Sequence, residues 1–304
     1  MATSKVEHLL KNINTIIKAE EDDDEITGVV PDFPGLDKMP KYIDDYEKKV
    51  AKLLRAQRKH FTKGVREYIQ KEVTIEGILA YLKQDLFASD AFAEDMEEET
   101  KAFLTLTISG ISKVIMEAID TDVPFETLSK RTLDWIESWS FDLAQLMNLN
   151  THRGLEDALK KVIEDGGSIQ DAELVIKDLP QFDRYRARTT AITEILTASS
   201  RSQWESYKQS PVVVKKKWKH SGSKKNNPRE NHVDLNGVEE DVDKEFIIPN
   251  TTYSCQYPRD PSLPASERVR CHCVMGPVVD EAIIGLSKEE KLKLRQEALD
   301  EMNE

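Results

Sequence analysis

From Tyr42 to Ile69 apolar side chains return every three or four positions: Ile43, Tyr46, Val50, Leu53, Leu54, Phe61, Val65, Tyr68 and Ile69. That period lines one face of a long amphipathic helix. The same pattern predicts a helix from about Glu99 to Ile119, faced by Phe103, Ile108, Ile111, Val114, Ile115 and Ile119. It predicts another from Leu128 to Leu146, faced by Leu133, Trp135, Ile136, Trp139, Leu143 and Leu146. Upstream of the first, VVPDFPGLDKMP carries three prolines and a glycine and reads as an irregular connector. The acidic run Glu20 to Glu25 reads as a solvated helix end or tip.

The next stretch is punctuated more sharply. A short helix from Arg153 to Glu164 should stop at Gly166-Gly167, and Ser168 offers an N-cap for a second, Ile169 to Leu179, halted by Pro180. This hairpin has the outline of a DNA-reading helix-turn-helix, but its second helix, IQDAELVIKDL, is acidic, which argues against base reading. A long helix comes next, from Asp183 to about Tyr207, carrying Arg186, Arg188, Thr193 and Glu194. Glu194 is either a solvated helix residue or half of a polar clasp onto the β-prone region beyond the helix. After Pro211 the runs VVVKKKW, EFIIP and RCHCVM are short and β-prone, separated by Asn, Gly, Pro and Asp. Ser287 to Glu290 forms a capping box opening a last helix through about Met302. Its sparse apolar residues, Leu292, Leu294, Leu299 and Met302, predict a helix that docks on a partner or stays partly exposed. The fold class is therefore mainly α: a helical N-terminal two thirds and a small irregular α+β C-terminal module. The chain divides into four segments: a helical region 1–150, a hairpin with a long helix 151–210, a β-containing module 211–276, and a terminal helix 277–304.

Composition narrows this further. The chain of 304 residues carries a net charge of −13, with 39% hydrophobic and 33% charged residues. Collagen-like, low-complexity and wholly disordered classes are excluded. The pattern predicts no membrane helix and no secretory signal in MATSKVEHLLKNINTIIKAEEDDDE. Three cysteines do not make a disulfide framework. The acidic total hides a basic stripe: between Arg201 and Glu230 nine Lys or Arg face only Glu205 and Glu230. Lys215, Lys216, Lys217, Lys219, Lys224, Lys225 and Arg229 are thus either a solvated loop or a contact for DNA phosphates or an acidic partner.

The densest candidate chemistry lies between Trp218 and Cys273. On an extended strand Cys271 and Cys273 share a face while His272 takes the other. Two thiolates with the distant His232 suit zinc, and Cys255, Asp234 or Asp260 is a candidate fourth ligand. The alternative is a pair of reduced, half-buried cysteines packed as small hydrophobes. Cys271 and His272 face apart, the wrong geometry for a thiol nucleophile and its base. The chain has no Walker loop, nucleophile elbow or dinucleotide fingerprint, so an enzyme is not expected. A zinc-dependent nuclease or a transferase remains the catalytic alternative, and a nonspecific DNA-binding protein using residues 215–229 the binding alternative.

The ordered set Trp218, Arg229-x-x-His232, Asp234-x-x-Gly237, Phe246, Tyr257-Pro258-x-Asp260-Pro and Cys271-x-Cys273 resembles the phage minor head, or head-morphogenesis, proteins of the phage Mu F-like type. Upstream, Thr151-x-Arg153, Gly166-Gly167-Ser168, Arg186-Ala187 and Thr193-Glu194 resemble the same family, so the likeness covers roughly residues 150 to 276. This chain departs from the family in having Arg270 before the first cysteine, His272 between the two and Ile192 before Thr193-Glu194. The resemblance implies a structural protein of the virion head interior, assembled in the host cytoplasm. It implies association with the portal in a few copies, scaffold or major capsid protein as further partners, contact with packaged DNA and influence on its ejection, and no membrane. It also carries the zinc expectation onto His232, Cys271 and Cys273.

Overall fold

The structure, a computed structural model, describes residues 26–70, 74–222 and 228–304. The acidic run at 20–25 and the lysines Lys224 and Lys225 lie outside them. Eleven α-helices among the described residues are α1 (Ile26–Val29), α2 (Met39–Ile69), α3 (Ile75–Tyr81), α4 (Phe92–Ile119), α5 (Lys130–Glu164), α6 (Ile169–Lys177), α7 (Arg184–Gln209), α8 (Glu230–Asp234), α9 (Ala265–Arg268), α10 (Glu281–Ile284) and α11 (Lys288–Asn303). Five short strands, β1 (Val213–Lys219), β2 (Glu239–Asp241), β3 (Phe246–Ile247), β4 (Ser254–Cys255) and β5 (Val274–Val279), all fall after Pro211. The chain is mainly α with a small α+β region near its C-terminus, as its patterning required.

Several boundaries differ from expectation, each for a physical reason. Helix α2 begins at Met39, inside the expected connector, because Pro40 falls in the first turn, where no backbone N–H is needed. Helix α4 begins at Phe92, with Glu94 and Asp95 favourable at its positive end. The break expected between Leu146 and Arg153 does not occur: α5 runs unbroken from Lys130 to Glu164. Thr151, a poor helix former, is accommodated by a bond from its Oγ1 to the Met147 carbonyl at 3.1 Å. Gly166, at φ 65°, does end the helix, and the Ser168–Asp171 capping box opens α6. The expectation of no membrane-length apolar helix needs correction: α4 passes that test by length and composition, with a window of mean hydropathy 1.5. Its Ile108, Ile111 and Ile115 are buried, the behaviour of a core helix.

The chain divides into two compact units. One comprises 45–101 and 138–191, and its core joins Phe61, Val65 and Ile78 to Leu155, Leu159, Ile176 and Phe182. Here Arg186, fully buried, donates to the Met147 and Gln181 carbonyls and to Thr151 Oγ1 at 2.8–2.9 Å, and burial holds its pKa down near 10. The other unit comprises the chain through Asp44, 102–137 and 192–304. In it Glu205, buried on α7, accepts from Ser129 N, Ser129 Oγ, Thr132 Oγ1 and Gln209 Nε2. The terminal helix α11 docks on its own chain. Lys291 reaches Asp120 at 2.9 Å and Asp122 at 3.0 Å, Arg295 reaches Glu126 at 3.2 Å, and Leu299 and Met302 are buried. Its apolar pattern looked sparse because two of its buried positions are cations.

Candidate metal centre

Strand β1 is the central strand of a three-stranded antiparallel sheet ordered β2-β1-β5. Alternation along β1 puts Lys216 and Trp218 in the interior and Lys215 and Lys219 in solvent. Trp218 sits edge-on to the Phe246 ring, with centroids 5.3 Å apart, and to His232 at 5.5 Å. Gly237, at φ 86°, makes the turn after α8, and its N–H donates to the Trp218 carbonyl at 2.8 Å. His232, carried by α8, is therefore pressed against the indole and is only 2% exposed.

The two cysteines come from the segment just before β5, and both sulfurs face His232. Its Nδ1 lies 3.5 Å from Cys271 Sγ and 3.8 Å from Cys273 Sγ. Among the described residues His232, Cys271 and Cys273 form the one group of possible ligands whose atoms all lie within 4.8 Å of one another. On the far side of the ring, His232 Nε2 donates to Glu267 Oε2 at 2.9 Å. The three expected ligands are thus brought together. The three suggested fourth ligands are not. Asp234 is exposed, Asp260 accepts from the Gln256 and Ser262 backbone N–H groups at 3.0 Å, and Cys255 is buried opposite Phe246 in the β3–β4 ladder.

Electrostatics within the cluster are asymmetric. The Cys271 thiol is held well below its ordinary pKa, chiefly by its hydrogen bond with Cys273 and also by His232 and Arg259. Cys273 is held well above, chiefly by burial and then by Cys271. One thiol of the pair ionises first and makes the second harder to ionise. Cys255 is pushed up by burial.

Two residues outside the expected set organise this site. Arg259, the variable position of Tyr257-Pro-x-Asp260, is fully buried at φ 68°. One of its terminal nitrogens donates to both the Cys271 and Cys273 carbonyls, at 2.7 and 2.6 Å, and the other reaches Ser200 Oγ on α7 at 2.6 Å. Burial lowers its pKa. Glu267 fixes His232. Neither stands out in sequence, because an Arg in a turn and a Glu in a short helix are ordinarily solvated. The clasp reading of Glu194 is the one realised: buried on α7, it pairs with Arg268 Nη2 at 3.5 Å.

The basic stripe breaks up. Lys216 is buried, not available to phosphate: its Nζ donates to the Gln256 carbonyl and Oε1 at 2.7 Å and lies 5.1 Å from the Phe246 ring centroid. Burial draws its pKa down to about 8. Lys217 pairs with Glu239 at 2.6 Å, and β2 lays Glu239, Glu240 and Asp241 directly along Lys217, Lys216 and Lys215. Arg229 is spent on the loop it faces, donating to the Ser266 and Val269 carbonyls at 2.5 and 2.7 Å. Of the described stripe, Lys215 and Lys219 are exposed, Lys215 opposite Asp241 and Lys219 with its stem against Gly276.

The Trp218 contacts, the His–Cys cluster and the buried Arg259 knit the small C-terminal module together. The family described as phage Mu protein F like protein matches residues 153–276, and the chain belongs to that family of phage head-morphogenesis proteins. The chain is 54% identical over 303 residues to the uncharacterized protein YqbB of Bacillus subtilis, covering 98% of this chain and 99% of that protein. It is also 31% identical over 181 residues to the NAD(+)--arginine ADP-ribosyltransferase EFV of Enterococcus faecalis, covering 59% of this chain and 34% of that protein. No solved structure matches. The Mu F-like family is one of structural head proteins, so its members act in the virion head.

Proposed function

We propose that this protein is a non-enzymatic minor head component that joins the procapsid in the host cytoplasm in a few copies, associates with the portal, and remains in the virion interior, where it influences DNA packaging or ejection. The observation that carries this reading is the use made of the family motif. Trp218, Gly237, Phe246, Arg229, Asp260 and His232 all serve contacts inside the module, which is the behaviour of an assembly part held rigid for docking. The acidic balance of the chain, −13 overall, disfavours nonspecific DNA binding by the body as a whole. The buried Lys216, the paired Lys217 and the occupied Arg229 weaken the DNA-binding alternative further.

Coexpression with the portal protein of the same phage tests the proposal. A stable complex on size exclusion, with the chain present in purified heads by mass spectrometry, is expected. Two folded proteins that elute separately, with no chain in the heads, would overturn it. The likeness to an ADP-ribosyltransferase sets a second check: incubation with NAD(+) and an arginine-bearing acceptor is expected to transfer nothing, and transfer above background would overturn the non-enzymatic part.

A further inference from the structure

We propose that this chain binds one Zn2+ through three of its own side chains, His232 by Nδ1 and Cys271 and Cys273 as thiolates, and leaves the fourth coordination position open to water or a small anion at a cavity beside His220. Three observations carry it. The first is spacing. Zn–S bonds of about 2.3 Å and Zn–N bonds of about 2.0 Å give an S···N tetrahedral edge of roughly 3.5 Å. The observed separations of 3.5 and 3.8 Å match such edges.

The second is which nitrogen of each histidine carries the proton. His232 Nε2 faces the Glu267 carboxylate, so it holds the hydrogen and leaves the Nδ1 lone pair directed at the sulfurs. That carboxylate–histidine arrangement is the usual outer shell of a zinc ligand. His220 is the reverse case. Its Nδ1 accepts from the Gly222 N–H at 2.9 Å, so its Nε2 carries the hydrogen and has no lone pair for a metal. It is a hydrogen-bond donor at the mouth of the site, not a fourth ligand.

The third is room. His220, Arg229, His232, Arg270, Cys271 and Cys273 share the walls of a cavity of about 20 Å³. That holds one water-sized ligand. The cationic walls favour an anion. Binding the metal releases the thiol protons to solvent and ties α8 to the segment before β5, across 39 and 41 residues of chain. A module with strands of two to seven residues gains most from such a link.

Anaerobic titration of the reduced, metal-free full-length chain with Co2+ alone tests this, followed by azide. One Co2+ per chain is expected, with a sulfur-to-cobalt band in the near ultraviolet and visible bands that shift when azide is added. Cys271→Ser and His232→Ala should reduce the sulfur band or the affinity at least tenfold, while His220→Ala and His220→Gln keep the band and its stoichiometry. No Co2+ uptake by the folded wild-type chain would overturn the site. An azide-insensitive spectrum that collapses in both His220 variants would overturn the open position. The wild-type titration and its azide response stand even where a ligand variant fails to fold.

Discussion

Two histidines of this chain donate through Nε2 to a carboxylate, and their surroundings make them different residues. His152 meets Asp90 at 2.8 Å, stacks on Phe87 with centroids 4.0 Å apart, and meets Phe61 edge-on. Asp90 is shared with Gln57, which also reaches Asn148. That imidazole is a filled polar plug in an aliphatic and aromatic core. His232 meets Glu267 at 2.9 Å, but two thiols lie on its other side. A His–carboxylate pair is thus not itself the mark of a metal centre; the convergence of soft donors on the remaining nitrogen is. The unit holding His152 has large apolar clusters to support it. The terminal module has short strands, and among buried apolar side chains such as Phe246, Ile248, Tyr257 and Val274 its interior also holds the cations Lys216 and Arg259 and the Cys–His cluster.

The sharpest break of this comparison is expected at Arg259. Arg259→Met removes the donor from two backbone carbonyls and from Ser200, and should destabilise the module by about 3–5 kcal/mol in denaturant titrations, since each orphaned buried group costs about 1–3 kcal/mol. Lys216 gives a pH test. Its folded pKa, about 8, lies below its ordinary value of 10.5, so between those pH values the unfolded chain holds the proton that the folded chain has released. Stability must therefore rise with pH through that window. Measured against Lys216→Met to cancel the thiols and tyrosines, the gain should reach about 2–3 kcal/mol. A flat difference would show that the buried amine does not titrate there.

Glu267→Gln keeps a shape similar to Glu but loses the negative acceptor. It should weaken metal binding by about 10–100-fold in a competition with a chelating dye. Asp90→Asn is the matching change in the other unit, and should cost about 1–2 kcal/mol of stability while leaving metal uptake unaltered. If Asp90→Asn changed metal uptake as much as Glu267→Gln, the distinction between the two histidines would fail. Lys291→Ala should have the smallest effect, faster proteolysis confined to α11 with the rest of the chain protected, because it removes the pairs with Asp120 and Asp122 and leaves Leu299 and Met302 in place.

The periodic apolar faces made the long helices readable, and the capping boxes at Ser168 and Ser287 marked two helix starts correctly. Cys271, Cys273 and His232 were readable because soft ligands are few and an i, i+2 pair must share a face. Pairing at a distance was not readable. Lys216 looked like one lysine of a stripe until the alternation of β1 turned it inward, and acidic β2 lies against its neighbours only once the sheet has formed. Arg259 and Arg268 look like surface residues, yet tertiary packing buries them with acceptors that lie on α7 and beside the cysteines. The continuity of α5 was missed because the polar stretch around Asn148 and Thr151 resembles a loop. In the fold those groups bond to Gln57, Arg186 and the Met147 carbonyl.

Thermal melting of the reduced wild-type chain with and without a strong zinc chelator, alongside His232→Ala, tests the central claim most directly. A bound metal that ties α8 to the segment before β5 should give a wild-type midpoint that falls by several degrees on chelation, while His232→Ala melts at the same lower temperature in both conditions. Superimposable wild-type curves, from protein shown by elemental analysis to have been purified with zinc available, would contradict it and leave Cys271, Cys273 and His232 as a buried polar cluster of the kind that surrounds His152.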